Sequence, residues 1–446
     1  MRGQCTVRTV KSLQYALTML LALGMFARAS AQDAIDARLL EDISKIRAID
    51  DHMHGDAVDP ARTARWKDDN PLGKSRYPDV VELQPVNPQW RSAWYALYGY
   101  NYADVELPHL KSLLAAKRKT VADAGLNWPS NVLDAAGVDI ALLNVVQPGQ
   151  GQTNGRFRWV PYADPLLRPF AGDASWLGYS GGELTITTLL RDVGFSRPPP
   201  TLVEYRVNIV QATLTRWRKN GAVAVKFMSA YARPLDFEVV EEAVAAPLYA
   251  RAVKGAEPLT AAEQKTLGDY LFNAIALVAG AQQLVVQVHT GNGDGPYFNN
   301  GHANPALLED VIDSKPLRKT NFVLLHGGWP YHAIAQAMTD KPNTWVDFSA
   351  QTFYLGSHQL AAVLRDWLSW HPEKVLFGSD AYSDTDSPLT DWEEKEFLMT
   401  GKARRALAIA LTAMMQNGEI TRERALEIAR MVLRENAMKL YGLGGQ

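Results

Sequence analysis

Short apolar runs, rich in β-branched residues and each followed by a stretch with helical spacing, recur along this chain of 446 residues. They occupy residues 43–50, 139–145, 157–162, 222–228, 284–288, 322–325, 344–348 and 374–378. Continuous hydrophobicity, in place of alternation, suits strands buried on both faces. Eight such runs, separated by helix-like stretches such as 202–219, 261–279, 305–314 and 358–370, predict an α/β protein built as a parallel (β/α)8 TIM barrel. Two regions break the spacing. A Pro- and aromatic-rich insertion, about 55–131, contains Trp90, Trp94, Tyr95, Tyr98, Tyr100 and Tyr102 and is expected either to lie over the barrel mouth or to form its own small core. A second, 164–200, contains Gly181-Gly182 and Pro198-Pro199-Pro200 and is expected to cover the same mouth. The C-terminal segment, about 401–443, reads as two amphipathic helices divided at Asn417-Gly418, with Thr421 capping the second. These helices are expected to pack or close the barrel and to carry no chemistry.

The first 31 residues read as a signal peptide: a basic start (Arg2, Arg8, Lys11), an apolar stretch from Leu13 to Phe26, and the small-x-small site Ala29-Ser30-Ala31. That stretch is shorter than the roughly 20 residues of a spanning helix. The expectation is a periplasmic or secreted chain beginning near Gln32, with residues 32–446 as one domain. The lone cysteine, Cys5, lies in this leader, which leaves neither disulfides nor thiolate metal sites to the mature chain. The leader holds four basic residues (Arg2, Arg8, Lys11, Arg28) and no acidic ones, so removing it takes the formal charge from −2 to −6. A nucleic-acid partner is thereby excluded.

Four of the apolar runs end in a residue able to bind metal. Asp51-His52-Met53-His54 closes the first, and His289, His326 and Asp380 follow three later ones. Residues i and i+2 of a strand share a face, so His52 and His54 can aim both imidazoles at one cation. Lys226 ends the fourth run among apolar residues, where a bare ammonium beside a divalent cation would be repelled and costly to bury. Carboxylation of that amine by carbon dioxide would turn it into an anionic carbamate able to bridge two metals.

The ordered set His52-x-His54, Lys226, His289, His326 and Asp380 resembles the amidohydrolase superfamily. Phe157-Arg158-Trp159-Val160-Pro161-Tyr162, Leu325-His326-Gly327-Gly328 and Phe377-Gly378-Ser379-Asp380 are similar to its amidohydrolase-related branch, which includes uronate isomerases and metal-dependent decarboxylases. The resemblance implies one or two divalent metals per chain, with zinc foremost and manganese, cobalt or iron compatible. His52, His54 and Asp380 would hold a buried metal, His289 and His326 an outer one, and carboxylated Lys226 would bridge them. It implies hydrolysis of a C–N bond by metal-bound hydroxide, with Asp380 as general acid and base. The alternatives are a mononuclear decarboxylase or uronate-isomerase-like enzyme, and a binding barrel without turnover. For the small-molecule substrate, Arg158, Tyr231 and Arg233 are expected at the mouth, where an arginine fork suits a carboxylate, with Trp329 and Tyr331 as an apolar wall. Among the other histidines, His332 is the best functional candidate. A homo-oligomer stays open.

Overall fold

The computed structural model describes residues 35–56, 63–64, 66–73, 80–172, 184–255, 258–383 and 387–444. The leader and Gly181-Gly182 lie outside the described residues. Eight parallel strands follow one another in chain order: β1 (Ala48–Met53), β2 (Val138–Asn144), β3 (Phe157–Val160), β4 (Ala224–Phe227), β5 (Val285–His289), β6 (Phe322–Leu325), β7 (Thr344–Asp347) and β8 (Val375–Leu376). β1 to β3 form one arc and β4 to β8 another. The arcs join at both edges. Val223 N–H donates to Trp159 O at 3.1 Å and Lys226 N–H to Pro161 O at 2.9 Å, while Asp51 N–H donates to Phe377 O at 2.9 Å and Asp380 N–H to His52 O at 2.8 Å. The result is the α/β barrel expected of the eight apolar runs.

Differences concentrate at the chain's two ends. The first run does not begin a strand at residue 43, because Ala37–Ser44 is a helix capped by the Asp36 carboxyl and buries Leu39 and Ile43 at i, i+4 spacing. The apolar run therefore straddles a helix end and a strand start. In the insertion, helices Trp90–Tyr98, Leu107–Ala124 and Trp128–Ala136 lead into β2, so residue 131 falls inside the last of them. Trp90 and Trp94 are wholly buried, and Trp94 Nε1 donates to Leu389 O at 2.6 Å. The helix after β8 starts at Trp392, nine residues before the expected position, with Asp391 and Glu394 forming a reciprocal cap. Against this helix the insertion inserts Lys117, fully buried, whose ammonium meets Glu394 at 2.8 Å, Glu393 at 3.2 Å and the Pro388 carbonyl at 2.7 Å. Trp90 and Trp94 thus build a core beside the barrel, whereas Tyr95 and Tyr102 are exposed. No helix among the described residues is long and apolar enough to cross a membrane.

The lower barrel interior is apolar, lined by Ile49, Leu142, Val160, Ala224, Val285, Val323, Leu325 and Leu376, and Ala437 and Tyr441 from the last helix plug it. Parallel strands bring their carboxyl ends to the opposite pole, where all six candidate ligands lie.

Candidate metal centre

The end of β1 departs from a regular strand. Asp50 pairs with Ala141 and Met53 with Leu143, so Asp51 and His52 together oppose Leu142 alone. This one-residue bulge turns two consecutive side chains into the barrel. His52 then brings Nε2 to 3.2 Å from Nε2 of His54 and 3.3 Å from Oδ1 of Asp380. His54 Nε2 lies 3.4 Å from the same oxygen. The ligand atoms of these three residues all fall within 4.8 Å of one another, a group able to hold a metal ion. Lys226, wholly buried, places Nζ 3.3 Å from His52 Nε2. From β5 and β6, His289 Nδ1 and His326 Nε2 approach to 3.0 Å, and His326 Nδ1 lies 3.9 Å from Asp380 Oδ2.

Outer contacts fix these groups. The Asn144 carbonyl can only accept, so His54 carries its proton on Nδ1, 3.0 Å away, and keeps Nε2 free for a cation. Tyr162 donates to the same carbonyl at 3.2 Å. Asp50 Oδ1 accepts the backbone N–H of His52 and of Ser379, each at 3.0 Å. Asp347 Oδ1 accepts that of His326 at 2.5 Å, and Ser349 Oγ lies 2.8 Å from His326 Nδ1. Asp164 accepts Met228 N–H and Ser229 Oγ–H at 2.8 Å, pinning the end of β4 behind Lys226. His326 (φ 64°) and Asp380 (φ 55°) both adopt left-handed backbone. For residues other than glycine this costs about 1–3 kcal/mol and gathers at functional sites.

Burial, reinforced by the Lys226 charge, lowers the His52 imidazole to about 3, and burial also holds His289 and His326 well below their ordinary value. Neutral imidazoles are the form that binds metal. Burial lowers the Lys226 amine to about 8 against the opposing pull of Asp380, Asp347, Asp164 and Asp51. It would raise Asp380, yet His326, His52 and His54 hold that carboxyl well below the usual range. Asp51 and Asp347, both buried, are pushed up by desolvation; Asp347 raises Asp51 further, while the contact with Asp51 works against the rise of Asp347, which reaches about 7. Among the described residues, His52 Nδ1 and His289 Nε2 are buried without a hydrogen-bond partner. Three neutral imidazoles, a half-buried fourth and one ionised carboxylate make a donor set that fits a divalent cation such as zinc.

The expected substrate residues divide. Tyr231 sets its ring 4.8 Å from that of His289, and Trp329 stacks on Tyr354 at 5.5 Å, so both face the mouth. Arg233 does not: its guanidinium is held by buried Asp269 at 2.7 Å and by Asp236 at 3.2 Å, over the Phe237 ring. Arg158 bonds the carbonyl of Gly155, which precedes β3; four residues below Tyr162, it sits about 13 Å lower in the barrel at 3.3 Å per residue. Tyr331 stands at the start of helix His332–Met338, and the carbonyl of His332 accepts from Trp367 Nε1 at 3.1 Å. Sequence reading missed Asp50, Asn144, Tyr162, Asp347 and Ser349. For Asp347 and Ser349 a signal existed, since they end β7 as ligands end its neighbours.

Solved structures with this fold include a chain from Lactobacillus casei ATCC 334, provisionally described as a metal-dependent hydrolase. It is 17% identical with a TM-score of 0.64, covering 92% of this chain and 98% of that one. A uronate isomerase from Thermotoga maritima is 14% identical with a TM-score of 0.58, at the same coverages. At these identities the likeness is one of fold. Protein fluG of Emericella nidulans is 29% identical over 191 residues, 41% of this chain, and the match spans only about a fifth of that relative, 21% of its length. The family model described as Amidohydrolase matches residues 197–443, from ahead of β4 to the last helix. With more than half of its length matched, the chain belongs to the amidohydrolase family.

Proposed function

We propose that the chain is a metal-dependent hydrolase that cleaves a C–N bond of amide, peptide-like or lactam type, with Lys226 carrying a carbamate. One observation carries the reading: a buried amine from β4 stands 3.3 Å from a ligand nitrogen of β1, inside a ring completed by β5, β6 and β8. A cationic amine there would oppose any divalent ion, whereas the fraction that is neutral near pH 8 can add carbon dioxide and give up its charge. His52, His54 and Asp380 would hold one cation, His289 and His326 a second, and the Lys226 carbamate would lie between. Divalent metal supplies Lewis acidity, acidifying a water and polarising the scissile carbonyl.

Asp380 moves the protons in this scheme. Its carboxylate takes one from the attacking water and delivers it to the leaving nitrogen as the C–N bond breaks, general acid and base in turn. His54, locked by Asn144, and His326, locked by Asp347 and Ser349, keep Asp380 and its neighbours in register. With Arg233 and Arg158 engaged elsewhere, Tyr231, Trp329 and Tyr354 would be among the side chains that receive substrate. Export to the periplasm or medium, from residues 1–31, belongs to the same proposal.

The test combines metal analysis of protein purified with bicarbonate and a panel of N-acyl amino acids, dipeptides and lactams. Close to two metals per chain and turnover of one substrate class are expected. A second reading, a mononuclear lyase or isomerase, is favoured by the fact that the tight ligand group contains only His52, His54 and Asp380. Full activity on another substrate class with metal saturating at one per chain would select it.

A further inference from the structure

The barrel floor contains polar groups that stability alone would not place there. Interiors of such barrels are layered with branched apolar side chains, and the lowest layer here conforms. One level higher, Asp51, Gln287 and Tyr441 meet with side chains at most 5% exposed. Gln287 Nε2 donates to the Asp51 carbonyl at 3.0 Å and to the Tyr441 hydroxyl at 2.9 Å, and that hydroxyl donates to Asp51 Oδ2 at 3.1 Å. Buried polar groups cost stability unless paired, and an apolar trio of the same volume would fill the space at least as well.

The geometry of each member points upward. Asp51 shares the inward face of β1 with Ile49, two residues before it, and the β1 bulge turns the next residue, His52, inward beside it. Gln287 shares the inward face of β5 with His289, two residues on. Tyr441 arrives from the opposite pole. Its helix, Asn436–Tyr441, follows the π-turn Met431–Glu435: within the turn, Val432 and Leu433 pack in the outer core, and after it Ala437 and Tyr441, four apart, pack in the barrel. Such a turn inserts one residue and rotates the face that follows. Asn436 then clamps the helix to the foot of β8, donating to Pro372 O and Val375 O at 2.8 Å. From Tyr441 an unbroken series of contacts reaches two ligands, through Asp51 to His52 and, where Asp51 abuts Asp347 beside Gly378, to the His326 backbone.

We infer that Tyr441 is a positioning residue for the metal centre: its hydroxyl, delivered through the barrel floor by the C-terminal helix, sets the Asp51 carboxyl and with it the approach of His52 to the cation. The inference rests on the metal-centre reading above. Loss of an outer-shell partner typically weakens metal affinity 10- to 100-fold.

The full chain is loaded with zinc in bicarbonate buffer and titrated with a chelator, and the melting midpoint of the metal-free protein is read in parallel. Tyr441→Phe should lower zinc affinity about 10-fold or more and, because it strips a buried carboxyl of its donor, lower the metal-free midpoint by a few degrees, no further than Leu440→Ala does. Leu440→Ala, which removes packing from the same helix and keeps the hydroxyl, should lower the midpoint and hold zinc as the parent does. In an Asp51→Asn background, Tyr441→Phe should add little, since both act through one contact. Parent-like zinc affinity in Tyr441→Phe would overturn the inference and leave the metal reading standing. So would a loss of affinity that tracks the midpoint equally in Tyr441→Phe and Leu440→Ala. A parent chain that takes up no zinc would overturn both.

Discussion

Asp50 and Ser379 tie the first strand of the barrel to the last, since the Asp50 carboxyl accepts the Ser379 N–H at 3.0 Å, one residue before Asp380. The same oxygen takes the N–H of His52, so one atom holds the backbones of two candidate ligands. Asp50→Ala strands both donors in the core, at about 1–3 kcal/mol each. Asp50→Asn keeps an accepting oxygen. Urea unfolding should therefore show the alanine variant clearly less stable than the asparagine one, and equal loss in both would remove this role from Asp50.

Asp380→Asn retains the shape and a donor oxygen but not a basic carboxylate. Turnover should fall by about 10²–10⁴-fold, the usual worth of general acid and base catalysis, while His52 and His54 keep at least one metal. Metal content and kinetics belong on the same sample. Near-normal turnover with metal retained would take proton transfer away from Asp380.

Gly378 sits where a side chain has no room. A Cβ there would lie 2.7 Å from Asp347 Oδ2, 2.8 Å from Asp51 Oδ1 and 2.9 Å from Ser349 Cβ. Gly378→Ala should cost about 1–3 kcal/mol by overpacking and lower metal retention. A variant with parent stability and parent metal content would show that this layer yields more easily than its packing implies.

Lys117 sets its ammonium against the buried carboxyls of Glu393 and Glu394. Lys117→Met should destabilise by about 3–5 kcal/mol, because the buried Glu394 carboxyl loses the ammonium it meets at 2.8 Å. Chemical denaturation at neutral pH measures it, and a loss below about 1 kcal/mol, the worth of an exposed pair, would contradict the burial seen here.

The same cluster gives the fold a pH dependence. Burial raises Glu394 from 4.5 to about 7, with Lys117 pulling the other way. A carboxyl raised in the folded state contributes stability that is complete below about 4.5 and is lost as pH rises through about 7. The melting midpoint should fall across that window, and Glu394→Gln should flatten the fall. An identical slope in parent and variant would assign the dependence to other groups.

The sequence displayed β4 to β7 because each is a compact apolar run between helices, and it displayed the ligands because four runs stop at a histidine or aspartate. Lys226 stood out as a charge in an apolar strand. The β1 bulge did not, since a register shift depends on what β2 offers opposite Asp51 and His52. Arg233 looked available because its partner Asp269 lies in a helix 36 positions on, and contacts at that distance leave no local pattern. Arg158 was misplaced for a different reason: it faces inward as expected, but at the wrong height. Tyr441 lies in the segment read as closing helices without chemistry, and its hydroxyl contact with Asp51, 390 positions away, gives it another part.

Closure of the barrel through β1 and β8 also orders events in time. His52 and His54 leave the ribosome long before Asp380, roughly 15–65 s earlier at about 5–20 residues per second, and Tyr441 comes later still. A nascent chain thus carries an imidazole pair with no carboxylate opposite and no floor beneath it. Metal captured at that stage would meet a flexible, two-toothed chelate with little selectivity. On the metal-centre reading proposed above, ion choice would fall to the folded cage, which is complete only when the last helix docks.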